Sequence, residues 1–259
     1  MAEKSYQVLL LALVFLCQDV CAQNVDPSPF ALLTIDAGIH FYAIEAVDRP
    51  YIRGDVPGSG FLGEGIRGEM TAQFAGAKAE KFFFQHRLSF SVGLRYTNRM
   101  NSIYKNSLIP DYFYVLHRQE ATTTEYLRVR RIEESLHYIG LPLEARLYIN
   151  PRRRWFLMAG GEWSYQIAHQ IKIAFKDLDM KMFTKDVKAL VGNASEHYSS
   201  SYMGAGVRLG EERPRLTLGL NVPLAITRTV SRLHTPRAGG AGIHVQYLLS
   251  RSHMWYEKE

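Results

Sequence analysis

Between Ala31 and Ser250 the chain carries eight runs in which apolar and polar residues take strict turns. Such alternation marks a strand whose two faces meet different surroundings. The runs fall at about 31–44, 61–74, 83–97, 135–149, 154–168, 200–210, 215–228 and 239–250. One face is apolar and uncharged throughout. In the first run it is Leu33, Ile35, Ala37, Ile39 and Phe41; in the second, Ile66, Gly68, Met70, Ala72 and Phe74; in the seventh, Leu216, Leu218, Leu220, Val222 and Leu224. The other face holds Asp36, Glu69, Glu144 and Glu162 together with Arg67, Arg87, Arg95, Arg146, Arg208 and Arg215.

The connections fall into two classes. Ala75–Lys81, Asn150–Arg153 and Gly210–Pro214 read as short turns. Glu45–Gly60, Asn98–Glu134 and Ala168–Ser199 are long, and Thr229–Ala238 is intermediate. Long and short alternate without exception, which is the habit of outer-membrane β-barrels. The pattern predicts an all-β fold: an eight-stranded antiparallel up-and-down transmembrane barrel with long extracellular loops. Both termini then face the periplasm of a Gram-negative bacterium. Tyr96, Tyr148, Trp155, Trp163, Tyr165 and Tyr247, near strand ends, fit interfacial girdles. The segment 126–134 is also extended in character, so the fourth strand has room to start earlier.

The N-terminus changes the compartment. Lys4 precedes the apolar run Val8–Leu16, which is too short to span a bilayer, and Val20-Cys21-Ala22 suits a cleavage site. Residues 1–22 are therefore expected to be a removed signal peptide, and 23–259 a single barrel domain. Cys17 and Cys21 lie in the removed piece, so the mature chain has no disulfide and no thiolate metal site. Leu16 and Val20 stand where a lipoprotein signal needs a small residue. The mature chain keeps a net charge of about +7, which suits anionic lipopolysaccharide. No signature for nucleic-acid binding or for a cofactor is present.

Candidate chemistry follows from the polar face. An eight-stranded barrel is just wide enough for side chains to fill it. Charges of both signs inside must pair, and Glu69, Arg95, Glu144, Arg146 and Glu162 are the expected network. His40 and His244 also point inward on runs that become neighbours when the barrel closes; with Asp36 and nearby serines they admit a hydrolytic reading. Two interior histidines satisfied by their neighbours is the plainer one. Arg128, Arg130 and Arg131 are candidates for lipopolysaccharide phosphates, because a guanidinium binds phosphate in bidentate fashion; a solvated strand extension is the alternative. Arg152-Arg153-Arg154 lies in a turn. Lys172–Lys188 mixes lysines with apolar residues, as an amphipathic segment on a membrane or an ordinary loop with its own apolar cluster.

The run Tyr138-Ile139-Gly140-Leu141-Pro142-Leu143-Glu144-Ala145-Arg146-Leu147-Tyr148, a short turn, and Trp155-Phe156-Leu157-Met158-Ala159-Gly160-Gly161 resemble the central hairpin of PorT-like (OmpX-like) outer-membrane β-barrels of Bacteroidota. Gly239 to Tyr247 is similar to their last strand. The chain departs at Arg251–Glu259, where the family usually ends on an aromatic strand terminus. The resemblance carries no catalytic residue. It implies a monomeric, non-enzymatic barrel whose loops serve interaction, adhesion or envelope integrity, or an accessory role in a protein secretion complex. Expected partners are outer-membrane lipids, lipopolysaccharide and envelope or secretion-complex proteins. A lipid-modifying enzyme or a small passive pore in the same fold are the alternatives.

Overall fold

The computed structural model describes residues 32–46, 52–54, 66–83, 87–105, 111–119, 124–150, 154–192, 195–210, 215–226 and 234–249. The expected signal peptide and the Arg251–Glu259 tail lie outside them. The strands are β1 (Leu32–Ala46), β2 (Ile52–Arg53), β3 (Ile66–Phe83), β4 (Leu88–Lys105), β5 (Phe113–Gln119), β6 (Thr124–Tyr148), β7 (Trp155–Phe175), β8 (His197–Leu209), β9 (Leu216–Ile226) and β10 (His234–Leu248). A 3-10 turn (Leu178–Phe183) leads into one short helix, α1 (Thr184–Val191).

Eight strands close a ring in the order β1-β3-β4-β6-β7-β8-β9-β10. All neighbours run antiparallel, and β10 returns to β1 with Ile39 opposite Ile243. Closure leaves the ring no free edge. The alternation of the sequence becomes the two faces of this wall. Leu33, Leu94, Leu143, Leu157, Leu220 and Ile243 stand exposed on the outside, Leu220 at 64%. Asp36, Arg95, Glu144 and Glu162 are buried inside. A belt of large apolar side chains around a charged interior suits lipid outside, not water.

One strand is read wrongly from the sequence. On β3 the apolar residues Met70, Ala72 and Phe74 point inward and are buried, whereas Arg67, Glu69 and Gln73 face out. The supposed turn Ala75–Lys81 is the second half of this strand. It carries Lys78 and Glu80 on the inner face, while the outward positions there are Ala75, Ala77 and Ala79. Two interior charges and three small lipid-facing residues decide the parity. The long connections also shrink, because β4 runs on to Lys105 and β7 to Phe175.

The wall is uneven in height. β6 has 25 residues and β7 has 21, against 13 and 11 in β8 and β9. A tilted transmembrane strand needs only about 9–11 residues. β6 and β7 therefore rise well beyond the belt. β4 last pairs with β6 at Tyr104–Arg131, and β5 takes over its line at Phe113–Val129. β2 adds to the outer side of β5.

Two register skips turn this extension into a second core. The β6–β7 pairing omits Ile167, then omits Arg130. Each skip reverses strand parity. Ile171, Ile173 and Phe175 thereby turn away from the outer surface. They pack on a buried cluster of Ile52, Ile103, Phe113, Val115, Leu127, Val129, Ile132, Val187 and Val191. The loops thus fold into an apolar cap over the polar barrel.

Substituting Leu143 or Leu220 by Arg puts a charge on the belt, at about 2–4 kcal/mol near the bilayer midplane. Both variants should fail to give the heat-modifiable migration of a closed barrel in SDS, whereas Gln170→Arg, above the belt, should keep it. Equal tolerance would contradict a lipid-facing belt. The cap yields a separate expectation. Phe113→Ala empties a fully buried site, at about 3–5 kcal/mol. Protease should then cut the loops while the migration shift persists; unchanged protection would mean that the cap does not depend on this core.

Candidate functional site

The barrel interior is a column of paired charges, and β4 measures its height. Its inward residues run Ser89, Ser91, Gly93, Arg95, Thr97, Arg99, Asn101 and Ile103. At the level of Ser89, Glu80 accepts hydrogen bonds from Ser89 at 2.6 Å, Tyr148 at 3.0 Å and Arg208 at 3.1 Å. Arg146, opposite Ser89 in the β4–β6 register, lies 2.5 Å from Glu144 and also donates to Gln246. Lys78 bridges Glu144 at 3.4 Å and Asp36 at 3.1 Å, and Tyr202 donates to Glu144 at 2.8 Å. Arg95 then joins Asp36 at 2.6 Å to Glu162 at 2.9 Å. Glu162 is completed by hydroxyl donors from Thr97, Ser164 and Tyr198.

Among the described residues, five buried bases (Lys78, Arg95, Arg99, Arg146, Arg208) face five buried acids (Asp36, Glu80, Glu134, Glu144, Glu162). Sharing of partners is what makes this tolerable. Asp36, Glu80 and Glu144 each serve two cations, which spreads the charge of the network over several contacts. The guanidinium faces are covered as well. Arg95 lies over Phe74 at 4.1 Å, Arg146 over Phe156 at 4.8 Å and Arg208 over Tyr148 at 4.5 Å. This is why Phe74 belongs inside. Arg99, fully buried above this network, sits 4.2 Å from the Tyr198 ring, with Tyr42 and Tyr138 around it. Asn101 and His169 then hold Glu134 at 2.8 and 3.0 Å, directly beneath the apolar cap.

Of the residues expected to pair inside, Arg95, Glu144, Arg146 and Glu162 lie in this column. Glu69 does not. It is on the outer face of β3, where it accepts a hydrogen bond from Tyr104 at 2.7 Å. Its expected partner, Arg95, is instead taken by Asp36 and Glu162. The sequence reading missed Lys78 and Glu80 by assigning them to a turn, although they share Phe74's parity. Tyr198 was missed because it fell in the expected Ala168–Ser199 connection, whereas β8 starts at His197, and Tyr202 was placed on the polar face without a partner.

His40 and His244 are both buried in the lumen. His40 packs against Phe74 at 5.0 Å and faces the Tyr42 hydroxyl at 3.3 Å; His244 faces Asn221 at 3.5 Å. Glycines opposite make room for them. A methyl on Gly219 would overlap the His244 ring, and one on Gly242 the His40 ring. Asp36 is spent on Lys78 and Arg95, so it orients neither histidine.

Arg128, Arg130 and Arg131 lie on the outer extension of β6, and each meets a carboxylate. Arg128 pairs with Asp177 at 2.7 Å, Arg130 with Asp111 at 3.1 Å and Arg131 with Glu133 at 3.0 Å. Asp111 also accepts from Lys176 at 2.8 Å; that hydrogen bond, with Arg130 nearby, holds its carboxyl below the usual carboxylate range. Such exposed pairs are screened by water and contribute little to stability.

Among solved structures, OprG from Pseudomonas aeruginosa aligns with 86% of this chain and 99% of its own, at 10% identity and a TM-score of 0.33. The transport unit of the autotransporter AIDA-I from Escherichia coli covers 88% of this chain and 93% of its own, at 8% identity and a TM-score of 0.23. The search of curated proteins gives no match. The model of the outer membrane protein beta-barrel domain matches residues 31–231. With that match and a closed ring of eight strands, the chain belongs to the outer-membrane β-barrel proteins, which places it in an outer membrane.

Proposed function

We propose that the protein is a non-enzymatic, electrostatically plugged barrel that holds a folded module outside the cell for interaction. Adhesion, envelope integrity and service to a secretion complex all fit such a module. The observation that carries the reading is the filled axis: paired charges from Glu80 to Glu162, then Arg99 and its tyrosines, then the apolar cap. A passive pore needs a hydrated path, and here the charges from Glu80 to Glu162 pair with one another while aromatic rings surround Arg99. A lipid-modifying enzyme needs nucleophile, base and acid where substrate arrives. Here the histidines are deep in the lumen and Asp36 is committed to cations. The hairpin of 138–161 supports a PorT-like subgroup of Bacteroidota within the family. The barrel acts as a monomer with both termini in the periplasm.

Planar-bilayer recordings of the wild type should show no steady conductance; a stable, ion-selective channel would overturn the plugged reading. Arg146→Ala leaves Glu144 short of a partner, a loss of about 3–5 kcal/mol. It should lower the unfolding temperature far more than Arg130→Ala, which removes one exposed pair. Equal shifts would mean that the lumen network does not hold the barrel. For orientation, a protease site inserted at Asp179 should be cut on intact cells and one at Pro151 should not; the reverse result inverts the topology.

A further inference from the structure

Above Tyr165 the wall has a gap. β7 pairs with β8 only up to Tyr165–His197, while its other edge stays paired with β6 as far as Phe175. Among the described residues no strand covers the β8-side edge of 167–175. Beside it lies an open groove of about 410 Å³, lined by His169, Gln170, Ile171 and Lys172 of β7 and Lys188 of α1. That volume falls within the range of small-ligand sites.

The charges separate this groove from the rest of the outer surface. Arg128, Arg130 and Arg131 are each neutralised by a carboxylate. Lys172 and Lys188 make no ion pair among the described residues, and both are exposed. The position is equally specific. Ile167 is half exposed at the outer end of the lipid-facing belt. At about 3.3 Å per residue, His169 to Lys172 sit roughly 7–16 Å further along the strand. With the usual tilt this is roughly 5–12 Å in height, within the headgroup layer and just above it, where a lysine side chain reaches a headgroup phosphate. Just below, Trp163 and Tyr165 flank His197 at 5.4 and 5.1 Å, an aromatic cluster at the interface.

We propose that this groove binds the phosphate-bearing headgroup of an outer-leaflet glycolipid, with Lys172 and Lys188 as the phosphate ligands and the Trp163–Tyr165–His197 cluster beside its proximal sugar and chains. The proposal rests on the outer-membrane barrel reading; it does not depend on whether the lumen is plugged.

The mature protein in detergent micelles is titrated with diphosphorylated lipid A, the same lipid after dephosphorylation, and inorganic phosphate, and bound lipid is counted by native mass spectrometry. The phosphorylated lipid should bind at one site per barrel, the dephosphorylated form should bind far more weakly, and inorganic phosphate should not displace it. K172Q/K188Q should weaken binding roughly tenfold to thirtyfold, since each lysine near an anionic surface is worth about a factor of five. K172R/K188R should restore it, and K181Q/K185Q, exposed lysines outside the groove, should bind as the wild type. Equal binding of the two lipids, or an unchanged K172Q/K188Q, overturns the proposal. So does equal loss in K181Q/K185Q, which would reveal general charge attraction. Displacement by inorganic phosphate would mark a free-anion site and reject the lipid. Heat-modifiable migration of every variant reports the barrel separately, and a conducting wild type would leave these binding results intact.

Discussion

Everything inside this barrel follows from the cost of isolating a charge. An eight-stranded ring leaves room for side chains and little else, so an interior carboxylate must find its cation within the wall that surrounds it. Asp36 shows how the constraint is met. It is fully buried and contacts both Lys78 and Arg95. Lys78 in turn reaches Glu144, and Arg95 reaches Glu162. The links tie β1, β3, β4, β6 and β7 together across the lumen rather than along the wall. Removing one side chain therefore disturbs several strands at once. The column acts as a cross-brace.

The same constraint explains which part of the fold was legible. Seven strands were assigned the correct faces because their charges and their bulky apolar residues fall on opposite parities, as in β1 and β6. β3 fails the simple rule. Its inner face combines Met70 and Phe74 with Lys78 and Glu80, and its outer face combines Glu69 with three alanines. Phe74 is inside because Arg95 lies over its ring. No alternation count contains that contact. Glu69 was accordingly assigned to the lumen, while Lys78 and Glu80 were assigned to a turn. Had the run been continued past Ala75, the charges at 78 and 80 would have outweighed the apolar residues before them.

The cap was illegible for a different reason. Ile167, Ile171, Ile173 and Phe175 share one parity in sequence, and a regular strand would present all of them to lipid. The register skip at Ile167 separates them: Ile167 stays on the belt and the other three turn into the cap. The skip at Arg130 does the same for Leu127 and Val129 on β6. A skip of one residue leaves little trace in composition, yet it converts two lipid-facing extensions into one packed core. Long loops were expected from the spacing, and much of their length proves to be strand and helix.

These two cores have opposite chemistry and meet at a sharp boundary. Below it Arg99 is wrapped by tyrosines and Glu134 by Asn101 and His169; above it Ile103 and Ile132 are dry. Tyrosine suits the seam because its ring faces the apolar side while its hydroxyl serves the charges, as Tyr198 does for Glu162. The division also bears on the outer surface. With Ile171, Ile173 and Phe175 drawn into the cap, the outward positions of β7 above the belt are left to Ala168, Gln170, Lys172 and Ala174. Carboxylates from neighbouring segments then settle on Arg128, Arg130 and Arg131. On β7, Lys172 stands opposite Glu133, whose carboxylate pairs with Arg131, and neither Lys172 nor Lys188 makes an ion pair among the described residues. The register skip that builds the cap thus also turns Lys172 to the outer face of the wall.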